Sequence, residues 1–145
     1  MSFNKKLSKK VKENLRNYKS SFELGPLQDA WVRTLESGHF LQTGGILCKL
    51  KRDGNYSFCC LGIAHEVLVE NGIKCKKTKI MSDESLHDYS LMKLKGSCGE
   101  LEPDIRLSLG LPERFLSDLN DNGYSFEEIA FIIRQAPDIV FTGPV

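Results

Sequence analysis

Two adjacent cysteines, Cys59 and Cys60, occupy the stretch YSFCCLGIAHEVL, where an alternating segment gives way to a helical pattern. A nucleophilic cysteine needs a lowered thiol pKa, and the partial positive charge at a helix N-terminus contributes to that. It also needs a base. His65 is nearest in sequence, but five residues along a helix amount to about 500°, which turns it well away from Cys60. His39 and His87 can approach only through the fold, with Asn120 or Asp121 as an orienting group. Structural zinc usually takes two ligand pairs, whereas adjacent cysteines in a strand point to opposite faces. The chain contains neither C-x-x-C nor H-x-x-x-H. The pair therefore reads as small apolar filler, one member facing the core and the other lining a cleft or lying beneath it.

Phosphate chemistry has equally thin support, because neither G-x-x-x-x-G-K-[ST] nor G-x-G-x-x-G occurs. The segment QTGGILCK sets Gly44-Gly45 before a strand, where backbone amides can meet an anion, with Lys49 and Lys51 close by. Leu119-Asn120-Asp121 offers a carboxamide and a carboxylate at a helix end, or simply a turn. The candidate ligand-binding residues are His39, Phe40, Gln42, Gly44, Gly45, Lys49, Cys59, Asn120 and Asp121. No catalytic residue, cofactor or metal is assigned.

Elements to position these residues follow from spacing. Leu7, Val11, Leu15 and Tyr18 give residues 4–20 a narrow apolar stripe on a lysine-rich helix. Pro26 opens and Gly38 closes a second helix, with Leu27, Ala30, Trp31, Thr34 and Leu35 along one side. ILCKLKRDGNYSFCC predicts a hairpin turning at Asp53-Gly54. That turn pairs Arg52 with Asn55 and sets Cys48 opposite Cys59 at a hydrogen-bonded position, where side chains diverge. A helix runs from Leu61 to an Asn71-Gly72 cap, and IKCKKTKI reads as a third strand with Ile73, Cys75 and Ile80. Residues 81–102 look irregular, with a short helix around Leu86 to Leu94. Pro103 and Pro112 each open a short helix, and Gly110 ends the first. Asn122-Gly123 stops the next, Ser125 with Glu128 forms a capping box for the last, and Pro137 follows it.

At 145 residues, 41% apolar and 27% charged, the chain fits one soluble globular domain. Residues 1–20 hold seven Lys/Arg against one Glu; with a net charge of +1 overall, the remainder carries −5. A basic arm on an acidic body can clamp that body, bridge a second subunit or attract phosphate. It offers nucleic acid one aromatic, Tyr18, and no stacking platform, so nucleic acid is not expected as a partner. No secretory signal or membrane helix is apparent, and five cysteines make a disulfide framework unexpected. A cytoplasmic protein is expected.

Three blocks resemble a group of small, largely uncharacterised proteins encoded by bacteriophages and prophages: W-V-x-x-L-x-S-G-x-F-x-Q at Trp31 to Gln42, F-C-C-L-G-I at Phe58 to Ile63, and L-N-D-N-G-Y-S-F-E-E-I-A at Leu119 to Ala130. The likeness covers roughly residues 27–70 and 111–135. It implies a phage origin and the host cytoplasm, and carries no established reaction. His39 departs from the Tyr common in that group, and histidine is unusual at the position of His65, which weakens any shared histidine chemistry.

The expected architecture is α+β: residues 1–22 a basic amphipathic helix, and 23–145 a single small domain with a two- to three-stranded antiparallel sheet and about five helices. Its core holds Trp31, Leu35, Phe58, Cys60, Leu61, Leu68, Phe115, Leu119, Ile129 and Ile133. The expected function is non-enzymatic capture of a small anionic ligand, such as a nucleotide immune signal, as host counter-defence, by a homo-oligomer. The alternatives are a protein that docks on and inhibits a host defence protein, and a cysteine-dependent enzyme.

Overall fold

The computed structural model describes residues 2–45, 47–51, 53–72, 77–80, 89–94, 103–111 and 115–145. Its elements are α1 (Lys9–Arg16), α2 (Pro26–Glu36), β1 (Leu41–Gln42), β2 (Cys48–Lys51), β3 (Tyr56–Phe58), α3 (Cys60–Glu70), β4 (Lys77–Ile80), β5 (Tyr89–Leu94), α4 (Pro103–Ser108), α5 (Phe115–Asp121), α6 (Phe126–Gln135) and α7 (Pro137–Val140). The class is α+β, as its alternation of strand and helix patterns predicts.

Helix α3 is the centre. Its apolar residues cover most of the circumference, so Cys60, Leu61, Ile63, Ala64, Val67 and Leu68 are all buried, and only Glu66, Val69 and Glu70 near its end reach toward water. Helix α2 buries Gln28, Trp31, Val32 and Leu35, an i, i+3, i+4, i+7 stripe, and packs against α3 and α6. Trp31 is fully buried, donates from its indole N–H to the Cys60 carbonyl at 2.9 Å, and meets Phe141 edge-on. Helix α5 lies against α3, and α6 packs against α2. Glycine brings α3 onto the sheet: a Cβ at Gly62 would run into the Leu47 carbonyl, so only a residue without one permits the approach.

The sheet is mixed, in the order β1-β3-β2-β5-β4. β1 runs parallel to β3, and the other pairings are antiparallel. This corrects the purely antiparallel sheet of two or three strands. β1 is too short to show an alternating pattern, and β5 pairs on both sides, with β2 and β4. The helix expected around Leu86 to Leu94 is therefore strand over Tyr89–Leu94; two neighbouring ladders outweigh a local preference. Residues 81–88 and 95–102 lie outside the described residues, as do Ile73 and Cys75 of the expected third strand, which spans Lys77–Ile80.

The hairpin forms where predicted but one residue out of register. Leu50 pairs with Tyr56 and Cys48 with Phe58, not with Cys59. Gly54 adopts φ +89°, and the innermost strand pair, Leu50 with Tyr56, sets the register one residue away from the one a two-residue turn at Asp53-Gly54 requires. Cys59 is thereby freed to cap α3, where its sulfur accepts from the Gly62 N–H at 3.4 Å.

The helix expected over residues 4–20 is confined to Lys9–Arg16, because Ser8 caps it through the Val11 N–H and Lys5 upstream bridges to Tyr124 like a strand. Ser125 caps α6, but Glu128 does not complete a capping box; its carboxylate pairs with Lys12 at 3.0 Å. Of the expected core, Leu119 is half-buried at its margin and the Phe115 side chain is outside the described set; the other eight are buried.

Candidate functional site

The end of β1 and the end of α5 meet through side-chain amides. Gln42 donates from Nε2 to Asn120 Oδ1 at 2.9 Å and to the Tyr124 carbonyl at 2.8 Å, while its Oε1 accepts from the Phe126 N–H at 3.1 Å. Asn120 donates to the Thr43 carbonyl at 2.8 Å, and its Oδ1 also accepts from the Cys60 N–H at 3.2 Å. One residue on, Asp121 accepts from the Gly45 N–H at 2.9 Å. Gly44 lies against Asp121 and the Phe3 ring.

Six of the nine candidate residues thus converge: Gln42, Gly44, Gly45, Cys59, Asn120 and Asp121. Asn120 is wholly buried, and the oxygen and nitrogen of both amides are engaged by the protein itself. Buried amides need such partners, and here they tie β1, α3, α5 and α6 together. The cluster is built as a polar knot within the fold.

The thiols beside it are poor nucleophiles. Burial pushes Cys59 up to about 11, against the lowering effect of the Gly62 N–H, and Asp121 adds to the rise. Cys60 is also raised well above the ordinary range, by burial first and then by Cys59 and Asp121. Burial outweighs the backbone N–H groups at the helix N-terminus, so Cys59 is held as the protonated thiol at neutral pH. His65 is fully buried within α3. Cys75, Cys98 and His87 lie outside the described residues. Among the described residues, no group of three or more His, Cys, Asp or Glu is placed to hold a metal ion.

His39 and Phe40 belong to a different place. They line a cavity of about 450 Å³ between α2 and α3, together with Arg33, Ser37, Glu66 and Glu70. Phe40 meets Phe58 edge-on at 5.3 Å. Lys49 stands mid-strand on β2, opposite Ser57 on β3 and Leu91 on β5, away from that cavity's lining. Sequence reasoning missed Arg33, Glu66 and Glu70; the i, i+4 spacing of the two glutamates on one helical face was the available signal. It also missed Gln28, which is buried and joins Gly25, Leu109 and Gly143.

The basic arm is anchored to the body. Lys5 donates its N–H to the Gly123 carbonyl at 3.0 Å, Lys12 pairs with Glu128, and Tyr18 donates to Asp138 at 2.8 Å. Lys12 and Arg16 lie over the Phe131 ring at 5.7 and 5.5 Å. Lys6, Lys9, Lys10 and Lys19 remain exposed.

These features define a small α+β domain closed by a buried amide knot and strapped by a cationic arm. No protein-family model matches the chain, and comparisons with curated proteins and with solved structures find no match. Among the described residues, no helix is long and apolar enough to cross a membrane.

Proposed function

We propose that this is a non-enzymatic accessory protein that holds an anionic partner on its basic arm, the partner being an acidic surface of a host protein. One observation carries the reading: the arm is fixed to the body at Lys5, Lys12 and Tyr18 while Lys6, Lys9, Lys10 and Lys19 stay in solvent. A cationic surface held in place steers an acidic partner and costs little ordering entropy on binding. The raised thiols argue against the cysteine-dependent alternative. The resemblance to phage-encoded proteins supplies the setting, the host cytoplasm, and by analogy with small accessory phage proteins the proposed purpose is interference with host defence.

The test is recovery from host cells followed by affinity measurement on the identified partner. The fourfold variant Lys6→Glu, Lys9→Glu, Lys10→Glu, Lys19→Glu is expected to lose binding, and wild-type affinity is expected to fall steeply between about 50 and 500 mM salt. Binding indifferent to both changes overturns the reading. Calorimetry against a panel of nucleotide signals, with intact ligand recovered afterwards, tests capture of a small anionic ligand. A ligand bound by the wild type and lost in the fourfold variant makes that ligand the partner. Native mass spectrometry of the same preparation tests the homo-oligomer.

A further inference from the structure

A second site, on a face separate from the arm's contacts, follows from the cavity between α2 and α3. Its volume, about 450 Å³, falls within the range of small-molecule sites, roughly 300–1,000 Å³. The two helices line it with opposite charges. Arg33 comes from α2, with His39 from the loop after it; Glu66 and Glu70 come from α3.

Arg33 and Glu70 do not pair with each other across the gap. Arg33 pairs at 2.9 Å with Asp29 on its own helix, and the Glu70 carboxylate makes no ion pair among the described residues. The guanidinium and that carboxylate line one cavity yet stand beyond ion-pair reach. Ala30, Phe40 and Val67 give the same lining its apolar part. The hydroxyls add direction: Thr34 donates to the Ala30 carbonyl at 2.8 Å, which leaves its oxygen to act as an acceptor, while Ser37 donates to the Thr34 carbonyl at 2.7 Å and already accepts from the His39 N–H at 3.2 Å.

We infer that this cavity binds a small zwitterion, an α-amino acid with an apolar side chain. The ammonium lies toward Glu70, the carboxylate toward Arg33 and His39, and the side chain against Phe40 and Val67. A ligand carrying both charges reaches the Glu70 carboxylate and the outer donors of Arg33, whose Nε stays on Asp29, and a ligand carrying one charge reaches only one of them.

The experiment uses the full chain and ¹⁵N-detected titration with leucine and phenylalanine up to about 10 mM, the range that detects millimolar affinity. Saturable shifts are expected at the Phe40 and Val67 amides. The matching amine without a carboxylate, and the acid without an amine, should each bind about tenfold or more weaker. Arg33→Gln and Glu70→Gln, both on exposed side chains and so compatible with folding, should each weaken binding by a similar factor, whereas Lys6→Gln should leave it unchanged. Absence of saturable shifts with either amino acid overturns the inference, and so does an amine-only or acid-only analogue that binds as tightly as the amino acid. Loss of the arm's partner in the fourfold lysine variant with amino-acid binding intact separates this site from the proposed function.

Discussion

Asn120 and Gln42, 78 positions apart, share a 2.9 Å hydrogen bond, and the same Asn120 oxygen takes the N–H of Cys60. The blocks that carry the resemblance to phage-encoded proteins therefore meet at one buried carboxamide. Trp31 adds a second tie between the first two blocks through its bond to the Cys60 carbonyl. The amides of Gln42 and Asn120, which read as ligand groups in sequence, are engaged by the fold itself, whereas His39 and Phe40 line the α2–α3 cavity.

The buried thiols should be inert. Cys59 and Cys60 are expected to react with a thiol probe more slowly than a model thiol at pH 7 and to become reactive only in denaturant. The raised pKa also sets a sign. Cys59 is protonated more firmly in the folded chain than at its ordinary value of 9.0, so its contribution is full below pH 9 and is lost as pH rises through about 11. Stability measured by urea unfolding should decline over that interval, and a Cys59→Ala variant should decline less.

Two glycines should differ in cost for different reasons. Gly54→Ala forces a side chain into a positive-φ turn and should destabilise by about 1 kcal/mol. Gly62→Ala drives a methyl group into the Leu47 carbonyl and should cost about 3 kcal/mol. Urea midpoints at constant m-value check the order.

The arm should be held only within a pH window. The Ser21 N–H, with the Tyr18 hydroxyl, holds Asp138 below its ordinary carboxylate value of 3.8, and the bond to Asp138 raises Tyr18 above 10.0. Asp138's contribution is present above that ordinary value and lost as pH falls through its lowered one. Tyr18's is present below 10.0 and lost as pH rises through its raised one. Amide exchange at Ser21, referenced to Ile129 in the core, should be slow between about pH 4 and 10 and accelerate outside it. Asp138→Asn should accelerate it within the window.

The sequence was most legible where a signal is local. Pro26 with Gly38, Ser125 with its Glu128 N–H, and the apolar run after Cys60 each mark a helix end or burial without outside help. The hairpin was legible in place but not in register, because an Asp-Gly pair marks a turn without fixing which residues flank it. β1 and β5 were not legible, since pairing with distant strands creates them. Of the site, the residue types were apparent in Gln42, Asn120 and Asp121, but their meaning depended on partners 76 to 84 positions away. Contact reversed that meaning: a carboxamide facing water invites a ligand, and one facing a backbone holds a fold.

The double-mutant cycle at Gln42 and Asn120, read as urea unfolding free energies of Gln42→Ala, Asn120→Ala and the double variant, tests this most directly. The knot predicts roughly 2–3 kcal/mol of destabilisation for Asn120→Ala, because it leaves the Cys60 N–H and the Thr43 carbonyl unsatisfied, and a coupling of at least about 1 kcal/mol between the pair. Single variants within about 0.5 kcal/mol of wild type, with additive effects, would mark these amides as surface ligand groups and contradict the account.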